Sequence, residues 1–273
     1  MVRKAMFAGS FYEGNPAFLK KEIEQWFEQA QVPKTEGRIC GIICPHAGYM
    51  YSGSCAAHSY KFLSQIPFTR AVIIHPSHRG NHFGYSLSPF TEYQTPLGDL
   101  KGSRELDELL ASGSDNIDPW YHVNEHSMEV QLPFIKYINP DAEILPVLLG
   151  NQCDKISKQL ADKLFPLFKD KNDKTVIVVS SDLSHYLSAQ EAESMDGKLI
   201  EHILADDIGD FYHSIATRRT EACGFGGILT LMYLAKMITG AKFYKLRYTH
   251  SGEASGDYGQ VVGYLSAALL IKD

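Results

Sequence analysis

Two histidines, an Asp-x-x-His pair and a cysteine set among glycines are the residues of this chain best suited to chemistry. His46 follows Pro45 in CPHAGYMYSG, and His78 closes the tripeptide PSH. Asp182 and His185 stand in SSDLSH, and Cys223 precedes Gly224, Gly226 and Gly227. Neutral imidazole is a nitrogen donor for zinc, iron or copper, and thiolate is a softer, charged donor. His46 and His78 can converge on one ion; His46 alone reads first as a ring that bonds a backbone carbonyl and shapes its turn. Asp182 can ligate a metal, orient a histidine, or cap a helix or turn that begins there. His185 suits general acid–base work. Cys223 opens an apolar helical segment, where unpaired N–H groups favour thiolate, so it reads as a ligand, a nucleophile or a buried small hydrophobe.

Other residues compete with these. His75 sits at a strand end and reads as packing or support, while His82 reads as exposed. Glu125-His126 is either a solvated turn pair or part of a site. Tyr49, Tyr51 and Tyr186 flank the histidine loops, as pocket lining or as the polar-tipped edge of a core. Cys40 and Cys44 have a zinc-like gap, but both lie in an apolar run. Five cysteines at 40, 44, 55, 153 and 223 do not form a disulfide framework. There is no G-x-S-x-G elbow, no G-x-G-x-x-G fingerprint and no Walker lysine motif.

The elements that must position these residues are three strand-like runs. Residues 39–44 end at Pro45, 71–74 lead into HPSH, and 175–179 lead into SSDLSH. Three apolar runs that each empty into a histidine-bearing loop predict a common sheet edge. Asn15-Pro16 predicts a helix start, with an amphipathic helix over 16–30. Helices are also expected at 53–63, 104–110, 156–168, 191–204, 207–214 and 224–238. Further strands are expected at 84–87, 143–149, 244–249 and 260–269. Residues 1–15, 32–37 and 169–174 read as irregular, linker and charged turn. The segment 122–132 is ambiguous between loop and helix, with Pro133 ending it or opening a new turn. Strands alternating with helices predict an α/β class, in one domain spanning 1–273.

Composition narrows the function classes. The chain has 273 residues, 44% of them hydrophobic, ample for a substantial core. Its net charge of -6 and the lack of a Lys/Arg run argue against nucleic-acid binding. No apolar stretch has membrane-spanning length, and the N-terminus lacks an apolar signal segment, so the expected location is cytoplasmic.

Taken together, PHAGYMYSG at 45–53, PSH at 76–78, NEHSMEVQLP at 124–133, SSDLSH at 180–185 and ACG at 222–224 resemble the Memo family. This family is the B component of the AmmeMemoRadiSam set, and the resemblance covers essentially the whole chain. Memo proteins are similar to class III extradiol dioxygenases, non-haem iron enzymes that cleave catechol rings. The resemblance implies an α/β fold with a central, mostly parallel or mixed sheet flanked by helices, like the dioxygenase catalytic subunit. It implies metal ligands His46, His78 and Cys223, with Asp182 and His185 in catalytic roles. Tyr49, Tyr186, Glu125 and His126 are the expected substrate pocket. The dioxygenases use two histidines and a glutamate, so Cys223 replaces a carboxylate and shifts relative preference toward copper or zinc. The expected cofactor is a divalent transition metal, Fe(II) first, with copper or zinc as alternatives. The implied function is metal-dependent redox catalysis on an unknown small molecule or peptide. The alternatives are a peptide- or protein-binding scaffold, since the animal member is described as binding phosphotyrosine peptides, and a zinc-dependent hydrolase. A radical-SAM protein and a small companion domain are the partners the resemblance implies.

Overall fold

Side-chain alternation along the central strands decides the layering. Val72 and Ile74 share one face with Ile177 and Val179, while Ala71, Ile73, Val176 and Val178 share the other. Both faces are apolar, so both must be covered, which is the usual condition of a parallel sheet between helical layers. The computed structural model describes residues 1–35, 37–170 and 172–272. Glu36, in the expected linker, Lys171, in the expected charged turn, and Asp273 lie outside the described residues.

The strands are β1 (Val2–Arg3), β2 (Arg38–Cys44), β3 (Arg70–Pro76), β4 (Tyr85–Leu87), β5 (Glu92–Tyr93) and β6 (Leu100–Gly102). They continue with β7 (Glu143–Leu149), β8 (Thr175–Ser180), β9 (Asp182–Leu187), β10 (Ala241–His250) and β11 (Val261–Ile271). Among the described residues they form one mixed sheet of order β1-β5-β6-β7-β3-β8-β2-β11-β10, with β4 pairing β7 and β9 pairing β11. Its centre, β7-β3-β8-β2, is parallel. The C-terminal ends of β2, β3 and β8 therefore share one edge, as expected from their three histidine-bearing loops.

The helices are α1 (Pro16–Gln29), α2 (Tyr49–Leu63), α3 (Arg104–Leu110), α4 (Pro119–Val123), α5 (His126–Glu129) and α6 (Leu132–Ile138). The remainder are α7 (Asp154–Lys169), α8 (Ala189–Leu204), α9 (Ile208–Ala216), α10 (Phe225–Met237) and α11 (Gly252–Ser255). One face of the sheet is covered by α7 and α10, through Leu160, Leu164, Leu229 and Met232. The opposite face is covered by α1, α2 and α6, through Ile23, Ala57, Tyr60 and Phe134. Local signals start several of these helices. Asn15 caps α1 ahead of Pro16, and Ser188 with Glu191 forms a capping box on α8. Pro133 sits in the first turn of α6, so it opens a helix, where its missing N–H costs nothing.

Three elements differ from expectation. Helix α2 begins at Tyr49 rather than near Ser52 or Ser54, with Gly48 as its N-cap, so neither serine serves as the cap. Asp182 begins strand β9, not a helix or turn, since residues 182–187 pair with β11. Val2 and Arg3, read as irregular, pair with β5 at the sheet edge. Among the described residues no helix is long and apolar enough to cross a membrane.

Candidate metal centre

Strand β2 ends at Cys44 and delivers His46, which is buried. Strand β3 ends at Pro76 and delivers His78, a third exposed at its side chain. The first residue of α5 is His126. Ligating atoms of His46, His78 and His126 lie within 4.8 Å of one another, a candidate metal-binding group. Ring centroids are 5.2 Å apart for His46–His78, 5.4 Å for His46–His126 and 4.7 Å for His78–His126.

The tautomer of His46 follows from its hydrogen-bond partner. Ser180 donates its only hydroxyl proton to Ser127 O at 2.6 Å. Its oxygen accepts from Gln131 Nε2 at 3.0 Å and meets Nδ1 of His46 at 2.8 Å. The Gln131 amide is itself oriented, donating to Pro45 O while its oxygen accepts from Tyr60. Nδ1 of His46 must therefore carry the proton, leaving the Nε2 lone pair free to bind.

Glu125 does the equivalent for His78 and lies close to His126. Its Oε1 lies 2.8 Å from Nδ1 of His78 and 3.3 Å from Nδ1 of His126. Its Oε2 accepts the His78 backbone N–H at 2.6 Å. Burial opposes ionisation of Glu125, but the His78 bonds and the neighbouring imidazoles outweigh it and hold the carboxyl far below its usual range. His46 and His78 thus have Nδ1 hydrogen-bonded and Nε2 left over, the arrangement that orients metal-binding histidines, while Nδ1 of His126 lies close to the carboxylate without a hydrogen bond. Burial, reinforced by His78, pushes His46 down to about 3. Burial, reinforced by His46, pushes His126 down to about 4. Both rings are therefore neutral at physiological pH.

Cys223, just before α10, approaches His46. Its Sγ lies 3.1 Å from Nε2 of His46 and accepts the Asp182 N–H at 3.2 Å. Gly224 makes this approach possible, because a Cβ there would collide with Ser180 O and with Ser181. The expected thiolate is not favoured by the surroundings alone. Burial, and then the Asp182 carboxylate, push the Cys223 thiol well above its usual range, against the Asp182 N–H that bonds it.

Asp182 is buried, and its Oδ1 accepts the His46 backbone N–H at 2.7 Å. Its Oδ2 lies 3.9 Å from Nε2 of His46. Burial raises its pKa, opposed by the His46 N–H and by His185. His185 is a quarter exposed; its Nδ1 lies 3.5 Å from Glu221 Oε1 but makes no hydrogen bond. Tyr186 is exposed, holds φ +60 and places its ring 5.9 Å from His185.

Two residues expected in the substrate pocket lie elsewhere. Tyr49 is a core residue: it packs on Tyr12, Trp26 and Phe134 and donates its hydroxyl to Val130 O at 2.6 Å. Glu125 is fully buried behind the imidazoles, where it holds His78. His126, expected in the pocket, joins His46 and His78. Two phenylalanines that sequence reasoning missed stand beside it, with ring centroids 4.6 Å (Phe11) and 5.8 Å (Phe7) from His126. His75 is buried, with Nδ1 on Ser127 Oγ at 2.9 Å, as support. Cys40 and Cys44 are buried, and burial raises both thiols.

Comparisons with known proteins agree on one family. The family profile described as Memo-like protein matches residues 3–268. A MEMO1 family protein of Methanosarcina barkeri is 37% identical, over 99% of this chain and 100% of that protein. One from Methanosarcina mazei is 35% identical over 99% of both chains, and one from Sulfurisphaera tokodaii is 37% identical over 97% of this chain and 98% of that one. A crystal structure of an uncharacterized protein from Escherichia coli K12 aligns with a TM-score of 0.49 at 15% identity, covering 85% of this chain and all of that one, too distant to carry an argument. With the profile and these relatives spanning nearly its whole length, the chain belongs to the Memo family.

Proposed function

We propose that this Memo-family chain is a metal-dependent redox enzyme whose centre is held by His46, His78 and Cys223, with His126 beside it under Phe7 and Phe11. The observation that carries the reading is the engagement of Nδ1 of His46 by Ser180 and of Nδ1 of His78 by Glu125, which leaves their Nε2 atoms as the ligating nitrogens, that of His46 with Cys223 Sγ at 3.1 Å. The donor chemistry fits a divalent transition metal, iron(II) first, then copper or zinc. Cys223 is preferred over His126 as third ligand on charge grounds. A buried dication needs compensating anions, and a thiolate supplies one where a third imidazole does not. Two ligands of one ion are roughly 3–3.5 Å apart, and the Cys223–His46 separation of 3.1 Å lies in that range. A bound iron or copper ion supplies electron transfer between substrate and dioxygen, which no side chain here can provide.

The surrounding residues have separable tasks. His185 takes the proton of a substrate hydroxyl at Nε2, since its Nδ1 is buried beside Glu221. Asp182 holds the His46 backbone and keeps negative charge close to the centre. Phe7 and Phe11 shield His126, and Tyr186 lies at the exposed rim near His185. The substrate is a small molecule with an ionisable hydroxyl.

The test is anaerobic metal titration of wild type and of His46→Ala, His78→Ala, His126→Ala and Cys223→Ala, with folding checked by circular dichroism. Stoichiometric iron binding, lost in the His46, His78 and Cys223 variants and followed by oxygen uptake with a substrate, supports the reading. Tight zinc binding without oxygen uptake favours the hydrolase. Unchanged affinity across all folded variants removes the metal site and leaves a binding scaffold.

A further inference from the structure

Arg3 is among the largest fully buried side chains of the molecule, although it lies three residues into the chain and in its outermost strand. A guanidinium has five N–H donors in a rigid fork. Here each has an acceptor. Nε donates to His122 O at 3.0 Å, and Nη2 donates to Val123 O and to Glu125 O, both at 3.0 Å. Nη1 donates to Glu129 Oε2 at 2.5 Å and to Lys4 O at 3.2 Å. Three of the five acceptors are thus backbone carbonyls of the 122–125 turn. That turn ends in the carboxylate that holds Nδ1 of His78 and faces Nδ1 of His126.

The other end of the clasp reaches the wall of the same centre. Glu129 is fully buried and accepts from Arg3, from the N–H groups of Met6 and Phe7, and from the Tyr12 hydroxyl at 2.8 Å. One ion pair therefore ties together the turn behind the imidazoles and the segment whose Phe7 and Phe11 rings lie against His126.

We propose that Arg3 is a positioning residue for the metal centre: by fixing the 122–125 backbone it sets Glu125, and through Glu125 the direction of the His78 and His126 rings. The proposal rests on the metal reading above. Outer partners of metal-binding histidines change affinity by about 10–100-fold when lost. Arg3 acts one bond further out, on the partner itself. Lysine in its place keeps the charge but has three donors for five acceptors, and cannot span the turn carbonyls and Glu129 together.

The experiment is an anaerobic cobalt(II) titration followed by visible absorption, with thermal unfolding recorded on the same samples. Cobalt reports both affinity and the arrangement of its ligands. Wild type should bind one cobalt, and folded Arg3→Lys should bind it about 10-fold more weakly with an altered spectrum. Tyr12→Phe is the control for stability alone. It removes one bond to Glu129 without touching the turn, so it should lower Tm while leaving affinity and spectrum as in wild type. Should Arg3→Lys fail to fold, Glu129→Gln loosens the same clasp with its shape retained and should weaken cobalt in the same direction. Wild-type affinity and spectrum in a folded clasp variant overturn the positioning role while leaving the metal site intact. Failure of wild type to bind any cobalt overturns the site, and the clasp's role with it.

Discussion

Ser180 Oγ lies 2.8 Å from Nδ1 of His46 after its own proton has gone to Ser127 O, so one hydroxyl decides which nitrogen of the buried ring is free. Ser180→Ala removes that decision and leaves a Gln131 N–H without its acceptor. Metal affinity should fall about 10–100-fold, and stability by about 1–3 kcal/mol for the unsatisfied amide. Metal titration beside urea unfolding checks both. Wild-type affinity in Ser180→Ala would show that His46 keeps its tautomer by other means.

Glu125→Gln tests the same logic for His78. An amide cannot accept from both the His78 N–H and the Nδ1 protons, because one of its two heads is a donor. Binding should weaken about 10–100-fold while circular dichroism stays that of the parent. Combining it with His78→Ala should cost less than the sum, since Glu125 acts through the His78 ring. Strict additivity would contradict a shared mechanism.

Glu129→Ala should be strongly destabilising. It strands the buried Arg3 guanidinium and frees the N–H groups of Met6 and Phe7. Breaking one partner of a buried pair costs about 3–5 kcal/mol. Urea unfolding measures it, and a loss below about 1 kcal/mol would mean that water or a neighbour replaces the carboxylate.

Acid should expose a second ion pair, remote from the centre. Asp173 Oδ2 lies 2.7 Å from Arg70 Nη2, and its Oδ1 accepts the Thr175 N–H at 2.7 Å. Burial opposes its ionisation, but the Thr175 bonds and the Arg70 charge win and hold its pKa below the usual carboxylate value. A depressed folded-state pKa contributes stability in full above the unfolded value of about 3.9. That contribution is lost as pH falls through the folded value. The stability gap between wild type and Asp173→Asn should therefore be widest near neutrality and narrow steadily below about pH 4. Unfolding midpoints across the acid range test this, and a gap independent of pH would refute it.

The sequence spoke clearly where pattern is local. Arg104–Leu110, Glu143–Leu149 and Thr175–Ser180 were legible because period and flanking turns set them without distant partners. The shared edge of β2, β3 and β8 was legible from repetition. What was not legible involves polar groups whose partners lie far along the chain. Arg3 reads as a solvated terminal charge until residues 122–129 are folded against it. Glu125 reads as a turn residue until His78 arrives beside it. Tyr49 reads as pocket lining because its motif is next to His46, yet helix α2 turns it into the core. One signal was available: Glu129 and Gln131 alternate with Met128, Val130 and Leu132, and polar residues threaded through an apolar run are candidates for a buried network.

The clasp also has a meaning in time. Arg3 and its carboxylate partner are 126 residues apart. At about 5–20 residues per second on the ribosome, roughly 6–25 s pass before the partner is made. Through that interval the guanidinium lacks its carboxylate, and its edge strand lacks a partner until Glu92 and Tyr93 are made. Residues 3–7 are thus made early and settle late, and this segment is open to chaperones and proteases until Glu129 is in place.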